Sequence, residues 1–195
     1  MTQKLSLWEY ACSVYRQDGV EQSCLDLQDH HQINIPLLLF LCWAGHYHGV
    51  LAPDKCLNIH RMAQLWQSTC VKPLRTIRST MKTTDINPIT ESTWLAVRKR
   101  IKAVELEAER ALLETLESMV TDKGDAIQEN NSHTGPEAYI LDSIRNIYQV
   151  YPFIMTNGLL IEAITTILCA VQPQIQYDKA LELAIDLATS NTDVQ

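Results

Sequence analysis

The sequence predicts an all-α protein, a helical bundle of about six helices followed by a C-terminal extension of two to three more. Glycine and proline are few, at six and seven of 195 residues. Apolar residues recur at steps of three and four along most of the chain, whereas the alternation typical of strands is scarce. With 46% hydrophobic and 20% charged residues, the chain has enough apolar material to bury a core.

The first three predicted helices lie before residue 50. Helical spacing of apolar residues from Leu7 to Tyr15 predicts a first helix, which Asp18-Gly19 ends, and a second helix is predicted from Val20 to about His31. Asn34 is a suitable N-cap for the third helix, and Pro36 fits its first turn because the missing N–H has no partner there. Residues 37–44 are apolar on every side. This helix is therefore expected to lie at the centre of the bundle, and its apolar run is expected to be the most buried segment of the chain.

Two further helical regions follow. Asp54 opens a fourth helix, and Pro73 either breaks it or starts a new turn. Residues 83–90 resemble a loop. Over 94–119 the apolar steps of three and four come close to a heptad seam about three heptads long. That seam predicts contact with a second element or with another chain, including a homodimer through this helix or through the C-terminal helices.

The stretch 121–135 has no apolar period and contains Gly124, Asn130 and Asn131, which predicts a polar linker that proteases cut first. Three helical patterns follow it, over about 136–150, 156–171 and 178–189. The expected organisation is a helical core over 1–120, a linker over 121–135 and a helical extension over 136–190.

The first two-thirds of the chain resemble an uncharacterised proteobacterial family of conserved-hypothetical proteins. The resemblance covers roughly residues 5–118 and rests on several short stretches, namely 7–11, 24–29, 37–43, Pro73-Leu74-Arg75 and 104–110. It implies a small helical protein of the bacterial cytoplasm and no particular chemistry. Pro36 departs from the polar residue expected in relatives just before the leucine run. If that residue served a ligand, this chain has lost it.

Composition excludes several classes of protein. A formal charge of −7 argues against a chain that coats nucleic acid with its whole surface. The apolar run 35–44 is much shorter than the roughly 20 residues of a membrane-spanning helix. No signal-peptide pattern is recognisable at the N-terminus, and the six cysteines form no CxxC pair. We therefore expect a cytoplasmic protein with reduced cysteines and no membrane span.

A basic cluster is the least ordinary feature. Half of the 16 Lys and Arg residues fall within residues 72–102, where only Asp85 and Glu91 oppose them. The cluster consists of Lys72, Arg75, Arg78, Lys82, Arg98, Lys99, Arg100 and Lys102. This segment carries about +6, which leaves −13 for the rest of the chain. The helical spacing of Arg75, Arg78 and Lys82 predicts one solvent-exposed face. This face binds an anion, is neutralised by acids of the same chain, or is an ordinary solvated face.

Other candidate sites are weaker. Glu105 and Glu109 stand one helical turn apart, but without an E-x-x-H motif a solvated, salt-bridged face is favoured over a metal site. The imidazoles of His46 and His48 lack metal-ligand spacing. The four tryptophans (8, 43, 66 and 94) each fall on the apolar face of a different helix, which favours core anchors over a pocket lining. No cofactor, metal ligand set or catalytic motif is identified.

These observations favour a non-enzymatic interaction or regulatory protein that docks an acidic protein or a phosphate-bearing ligand through the basic cluster. The alternative is a small-ligand-binding protein or enzyme with a pocket between helices. A filled core with an exposed basic face supports the first, and a buried polar cavity among Trp8, Trp43, Trp66 and Glu9 supports the second.

Overall fold

A computed structural model describes residues 4–83, 88–121 and 135–190. Over these residues the chain is helical and contains no strand, which confirms the all-α class. Six α-helices precede residue 121 and three follow residue 135. The helices are α1 (Leu7–Tyr15), α2 (Val20–His31), α3 (Ile35–Tyr47), α4 (Pro53–Trp66), α5 (Lys72–Thr80), α6 (Glu91–Thr121), α7 (Pro136–Val150), α8 (Gly158–Val171) and α9 (Tyr177–Ser190). A π-helix (Gln67–Val71) joins α4 to α5, and a 3₁₀ helix (Pro152–Thr156) precedes α8.

The helix starts follow the local sequence signals. Ser6 and Glu9 form a capping box at α1, each side chain bonding the other's backbone N–H. Asn34 caps α3 by accepting a hydrogen bond from the N–H of Leu37, with proline in the first turn. Gly19, at a φ of +79°, makes the turn from α1 into α2, a backbone conformation that costs glycine little.

Helix α3 is the centre of the bundle. All residues from 35 to 45 are buried, which confirms the expectation for the leucine-rich run. Its most extensive packing is against α7. The two helices approach so closely that a Cβ on Gly45 would lie 2.4 Å from the backbone N of Ser143. Small residues at the crossing therefore permit the contact.

Polar side chains of α7 also tie it to the segment around α3. The Asn146 amide accepts from the N–H of Leu51 at 2.8 Å and donates to the carbonyl of Gly49 at 3.0 Å. The Ser143 hydroxyl donates to the carbonyl of Cys42 at 3.1 Å. One hydrophobic cluster includes residues from both sides of the 122–134 gap. Residues 122–134, most of the predicted linker, lie outside the described part of the chain, and the division into a core over 1–120 and an extension over 136–190 stays a prediction.

The α4–α5 region is one continuous helical path. Pro73 lies in the first turn of α5, and the residue before that helix, Val71, has right-handed helical dihedrals. The proline is accommodated because the π-helix before it already interrupts the regular backbone bonding. Of the two alternatives for Pro73, the start of a new turn is the one observed.

The segment formed by α5, the following turn and the first half of α6, residues 72–83 and 88–106, is called the arm below. Helix α6 runs antiparallel to α5, and the Trp94 indole N–H donates to the Met81 carbonyl at 2.8 Å. No residue of α5 is buried. The second half of α6 enters the core, where Leu112 and Leu116 are buried.

The heptad-like seam of α6 is therefore covered only in part. Val97 and Val104, which belong to the seam, are 43% and 48% exposed. The body of the protein packs against the later turns of α6 and leaves this edge of the arm open. Within the described ranges, no helix combines the length and the apolar character needed to cross a bilayer.

Candidate binding site

Four charged side chains join α5 to α6 in an Arg–Glu network. Arg75 Nε lies 3.0 Å from Glu105 Oε1, and Arg75 Nη2 lies 2.5 Å from Glu109 Oε1. Arg78 binds the Glu105 carboxylate with two nitrogens, Nε at 2.5 Å from Oε2 and Nη2 at 3.1 Å from Oε1. A single carboxylate, that of Glu105, thus bridges two guanidinium groups.

This network corrects the predicted orientation of α5. Arg75 and Arg78 were expected on a solvent-exposed face, but they are half-buried against α6, while the apolar Ile77 is 50% exposed. The prediction assumed that the apolar side of α5 faces inward. Because α6 presents a carboxylate pair to this helix, charge pairing decides which side α5 turns toward it.

The prediction for the acidic face of α6 is also wrong in part. Glu105 is buried and bridges α5 instead of joining a solvated row of local pairs. Arg110 and Glu114 do form the expected exposed i,i+4 pair, with Nε and Oε1 2.8 Å apart. Glu105 and Glu114 therefore have different surroundings although both lie on α6.

The carboxyl groups of the network have pKa values displaced in opposite directions. Burial acts to raise the pKa of Glu105, but hydrogen bonds from Arg78 and Arg75 outweigh it, and the pKa is lowered. Burial raises the pKa of Glu109, and attraction to Arg75 only partly opposes this. The hydrogen bond to Glu105 raises the pKa of Arg78 above its ordinary value. At neutral pH the network therefore holds one firmly ionised carboxylate and one that is protonated more easily.

The other cations of the basic cluster divide into two groups. Lys72 Nζ donates to Gln32 Oε1 at 3.3 Å, and Arg98 Nε donates to the Arg78 carbonyl at 3.3 Å. The remaining four are exposed and form no ion pair with a carboxylate of the described residues; they are Lys82, Lys99, Arg100 and Lys102. Glutamates of the same chain thus neutralise Arg75 and Arg78. The other four cations have no acidic partner among the described residues.

A cleft of about 470 Å³ lies beside the Arg–Glu network. Helices α1 and α2 and the start of α3 form one wall, and α5 and α6 form the other. The lining comprises Trp8, Ala11, Cys12, Tyr15, Arg16, Glu21, Cys24, Leu25, Gln28, Ile35, Pro36, Leu39, Arg75, Arg78, Lys102, Glu105, Leu106, Glu109 and Leu113. It is mainly apolar and aromatic, and its charged groups come from α2, α5 and α6 and from Arg16, which directly follows α1.

Two aromatic side chains of α1 face this cleft. Trp8 is half-buried, and the guanidinium carbon of Arg110 lies 5.2 Å from the centre of its ring. Burial, with the Cys24 thiol and the Glu21 carboxylate as smaller causes, raises the pKa of Tyr15 to about 12. The Tyr15 hydroxyl therefore stays protonated at neutral pH. Pro36, the departure from the expected family pattern, lies in the same lining.

The tryptophans differ in their burial, contrary to the expectation of four core anchors. Only Trp43 is fully buried among them, and its indole N–H donates to the Leu5 carbonyl at 3.2 Å. Trp66 and Trp94 are half-buried, and Trp66 donates to the Ala108 carbonyl at 2.9 Å. Trp8 lines the cleft. Helical periodicity identified the side of α1 that faces inward but not that a gap remains in front of it.

The histidines lie in separate environments. His46 bonds the Gln172 side chain, whereas His48 Nε2 lies 2.8 Å from Lys4 Nζ. Burial, together with Lys4 and Lys55, lowers the pKa of His48 to about 4. Over the described part of the chain, no three His, Cys, Asp or Glu side chains are grouped so that they could hold a metal ion.

Comparison with known proteins places the chain in a family. No curated protein and no solved structure matches it. Residues 6–116, more than half of the 195, match the family described as "Protein of unknown function (DUF2390)". The Arg–Glu network and every residue that lines the cleft lie within this match. The chain therefore belongs to the DUF2390 family of proteins of unknown function.

Proposed function

We propose that this protein is a non-enzymatic interaction module whose arm docks an acidic protein partner. The observation that carries the proposal is the group of exposed cations without a described acidic partner, Lys82, Lys99, Arg100 and Lys102. Arg75 and Arg78 are not assigned as main contacts of the acidic partner, because glutamates of α6 already form ion pairs with them.

The charge distribution supports an anionic partner. Like charges gathered on one segment repel each other, and a bound anion relieves this repulsion. The formal charge of −7 on the whole chain means that this surface differs in sign from the rest of the molecule. An approaching acidic surface is therefore directed to the arm.

Apolar side chains on the arm favour a protein over a phosphate polymer. Leu95 is 53% exposed, and Ile77, Val97 and Val104 are also open to solvent. Exposed apolar groups beside cations are typical of protein interfaces, where burying them adds to charge complementarity. A nucleic-acid backbone has few apolar groups that would cover these exposed side chains.

A second copy of the chain is the other occupant to consider, through the open edge of the seam on α6. A symmetric pairing of two arms would bring their cations together, at a cost in electrostatic free energy. We therefore favour a different, acidic protein, and treat the homodimer as one outcome of the test.

The test is a quantitative pull-down from an extract of the source organism. The family resemblance implies a bacterial cytoplasmic setting, so a cytoplasmic fraction is used. The test variant combines Lys82→Gln, Lys99→Gln and Arg100→Gln. The matched control also removes two lysines and one arginine, but outside the arm, through Lys55→Gln, Arg61→Gln and Lys179→Gln.

An acidic partner should be retained by the wild type and the control, in a salt-sensitive manner, and by the test variant about tenfold less. Equal retention by all three proteins contradicts the proposal. Loss of the bound material after nuclease treatment identifies a nucleic acid instead. Recovery of the chain itself as the only bound protein identifies a homodimer.

A further inference from the structure

We propose that the cleft between α1, α2 and the α5–α6 pair binds a small monoanion with an apolar body, the chemistry of a medium-chain or aromatic carboxylate. This site goes beyond docking by the arm. It uses the other side of the Arg–Glu network and does not require the outer cations of the arm, such as Lys99 and Arg100.

The size of the cleft fits a small molecule. Its volume of about 470 Å³ lies within the range of roughly 300–1,000 Å³ that ligand pockets occupy. The cleft is therefore large enough to hold a compact ligand.

The walls supply an apolar surface for the body of the ligand. Leu39 and Leu113 are buried at the base of the cleft, and the Trp8 and Tyr15 rings come from α1. Leu106, 51% exposed, stands at the rim. These side chains give the body of the ligand an apolar surface to pack against, beside the charged groups of the same lining.

The charged lining calls for one negative charge on the ligand. The cations are Arg16, Arg75, Arg78 and Lys102, and the carboxylates are Glu21, Glu105 and Glu109. Four against three leaves a net charge of +1, and protonation of Glu109, whose pKa is raised by burial, would increase it. A monoanion neutralises this lining.

Donors for the anionic group remain at the network. A guanidinium has five N–H donors. Arg75 and Arg78 each use two nitrogens in their bonds to the glutamates, Nε and Nη2. The glutamates hold both groups in place beside the cleft, so their remaining donors are preorganised. Lys102, an exposed residue of the same lining, adds an ammonium group.

The experiment is an NMR titration of the full chain with octanoate, with 1-octanol as the uncharged probe of the same length. The Trp8 indole N–H resonance, assigned with a Trp8→Phe variant, reports on the cleft. Octanoate should shift this resonance in a saturable manner and bind at least tenfold more tightly than octanol. Equal affinity for the two probes, or no saturable shift with octanoate, overturns the proposal.

Variants test the location of the bound probe. Cys12→Phe fills the cleft and should abolish octanoate binding, whereas Ser13→Phe, which adds the same ring at an exposed neighbour outside the lining, should not. Lys102→Gln should weaken binding about two- to fivefold, and Lys99→Gln should leave it unchanged. Unchanged binding in Cys12→Phe means that the probe binds elsewhere and overturns the proposal.

A second pair of variants applies if Cys12→Phe does not fold. Leu106→Glu places a carboxylate at the rim and should weaken octanoate binding, because two negative charges then meet there. Leu95→Glu makes the same change at an equally exposed site outside the lining. Equal effects of the two variants overturn the proposal. Because the arm variants at Lys82, Lys99 and Arg100 should bind octanoate normally, failure of partner docking and failure of this site are distinguishable.

Discussion

At the residue scale, the centre of the candidate site is the carboxylate of Glu105. It is buried and holds two guanidinium groups, so removing its charge takes the carboxylate partner from Arg78 and leaves Arg75 paired with Glu109 alone. Glu109, one turn further along α6, forms an ion pair with Arg75 alone among the described residues. The two side chains have the same chemistry, and their neighbours set their separate roles.

Replacing Glu105 with Gln should lower the free energy of unfolding by about 1.5–3 kcal/mol at neutral pH, because hydrogen bonds to charged groups are lost. Denaturant unfolding measures the change. Glu114→Gln, which breaks an exposed pair, is the control and should cost no more than about 1 kcal/mol. A loss equal to that of the control would show that the network adds little to stability.

The two carboxyl groups should titrate on opposite sides of the ordinary value of 4.5. Glu105, with a lowered pKa, stabilises the fold above pH 4.5 and loses this contribution as the pH falls through its folded value. Glu109, with a raised pKa, contributes below pH 4.5 and loses its contribution as the pH rises through its folded value. Carbon-detected NMR of the carboxyl groups measures both midpoints. A Glu109 midpoint below that of Glu105 would contradict the assignment.

At the element scale, α3 and its crossing with α7 hold the bundle together. Helix α3 has no polar side to turn to solvent, and α7 meets it at a glycine. Tight packing at such a crossing responds both to lost and to added volume. Two substitutions in α3 examine the two responses.

Leu39→Ala should lower the free energy of unfolding by about 2–5 kcal/mol, because Leu39 is buried and the removed methyl groups leave a cavity. Leu95→Ala, on the exposed edge of the arm, is the control and should change stability by no more than about 0.5 kcal/mol. Chemical denaturation of both variants gives the comparison. A loss below 0.5 kcal/mol at Leu39, on the order of a surface change, would place this helix at a surface.

Gly45→Ala should destabilise the protein by about 1–3 kcal/mol, because the new methyl group meets the backbone of Ser143, which cannot simply rotate away. Gly158→Ala serves as the matched control, since a Cβ there meets no atom within 4 Å. Thermal unfolding should show a lower melting temperature for the first variant only. A similar melting temperature for both would indicate that α3 and α7 separate easily.

At the scale of the whole molecule, the C-terminal helices cover the centre of the family region. The family match ends at residue 116, yet α7 supplies the main packing partner of α3, and α8 packs against α2. The Arg–Glu network and the cleft are formed by α1, α2, α3, α5 and α6, and no described residue after Leu113 lines the cleft. The C-terminal helices therefore support the fold without lining the site.

A chain that ends at residue 121 should not fold cooperatively, because its central apolar helix would be uncovered on the side of α7. Circular dichroism melting and the dispersion of amide resonances measure this. Adding a separate 136–190 fragment should restore a cooperative transition if the two pieces reassemble. Cooperative unfolding of the short chain alone would instead support an independent core over 1–120.

The sequence by itself determined the helices, their order and the buried position of α3, because local periodicity, caps and an unbroken apolar run specify these features wherever the helix lies. It also identified the cations of the basic cluster. The tertiary structure decided which of them are paired. Arg75 meets Glu105 across a separation of 30 residues, and no local pattern encodes the rotation of α5 that brings them together. The cleft likewise depends on how far α1 and α2 stand from α6, a distance that only the packing of the whole bundle sets.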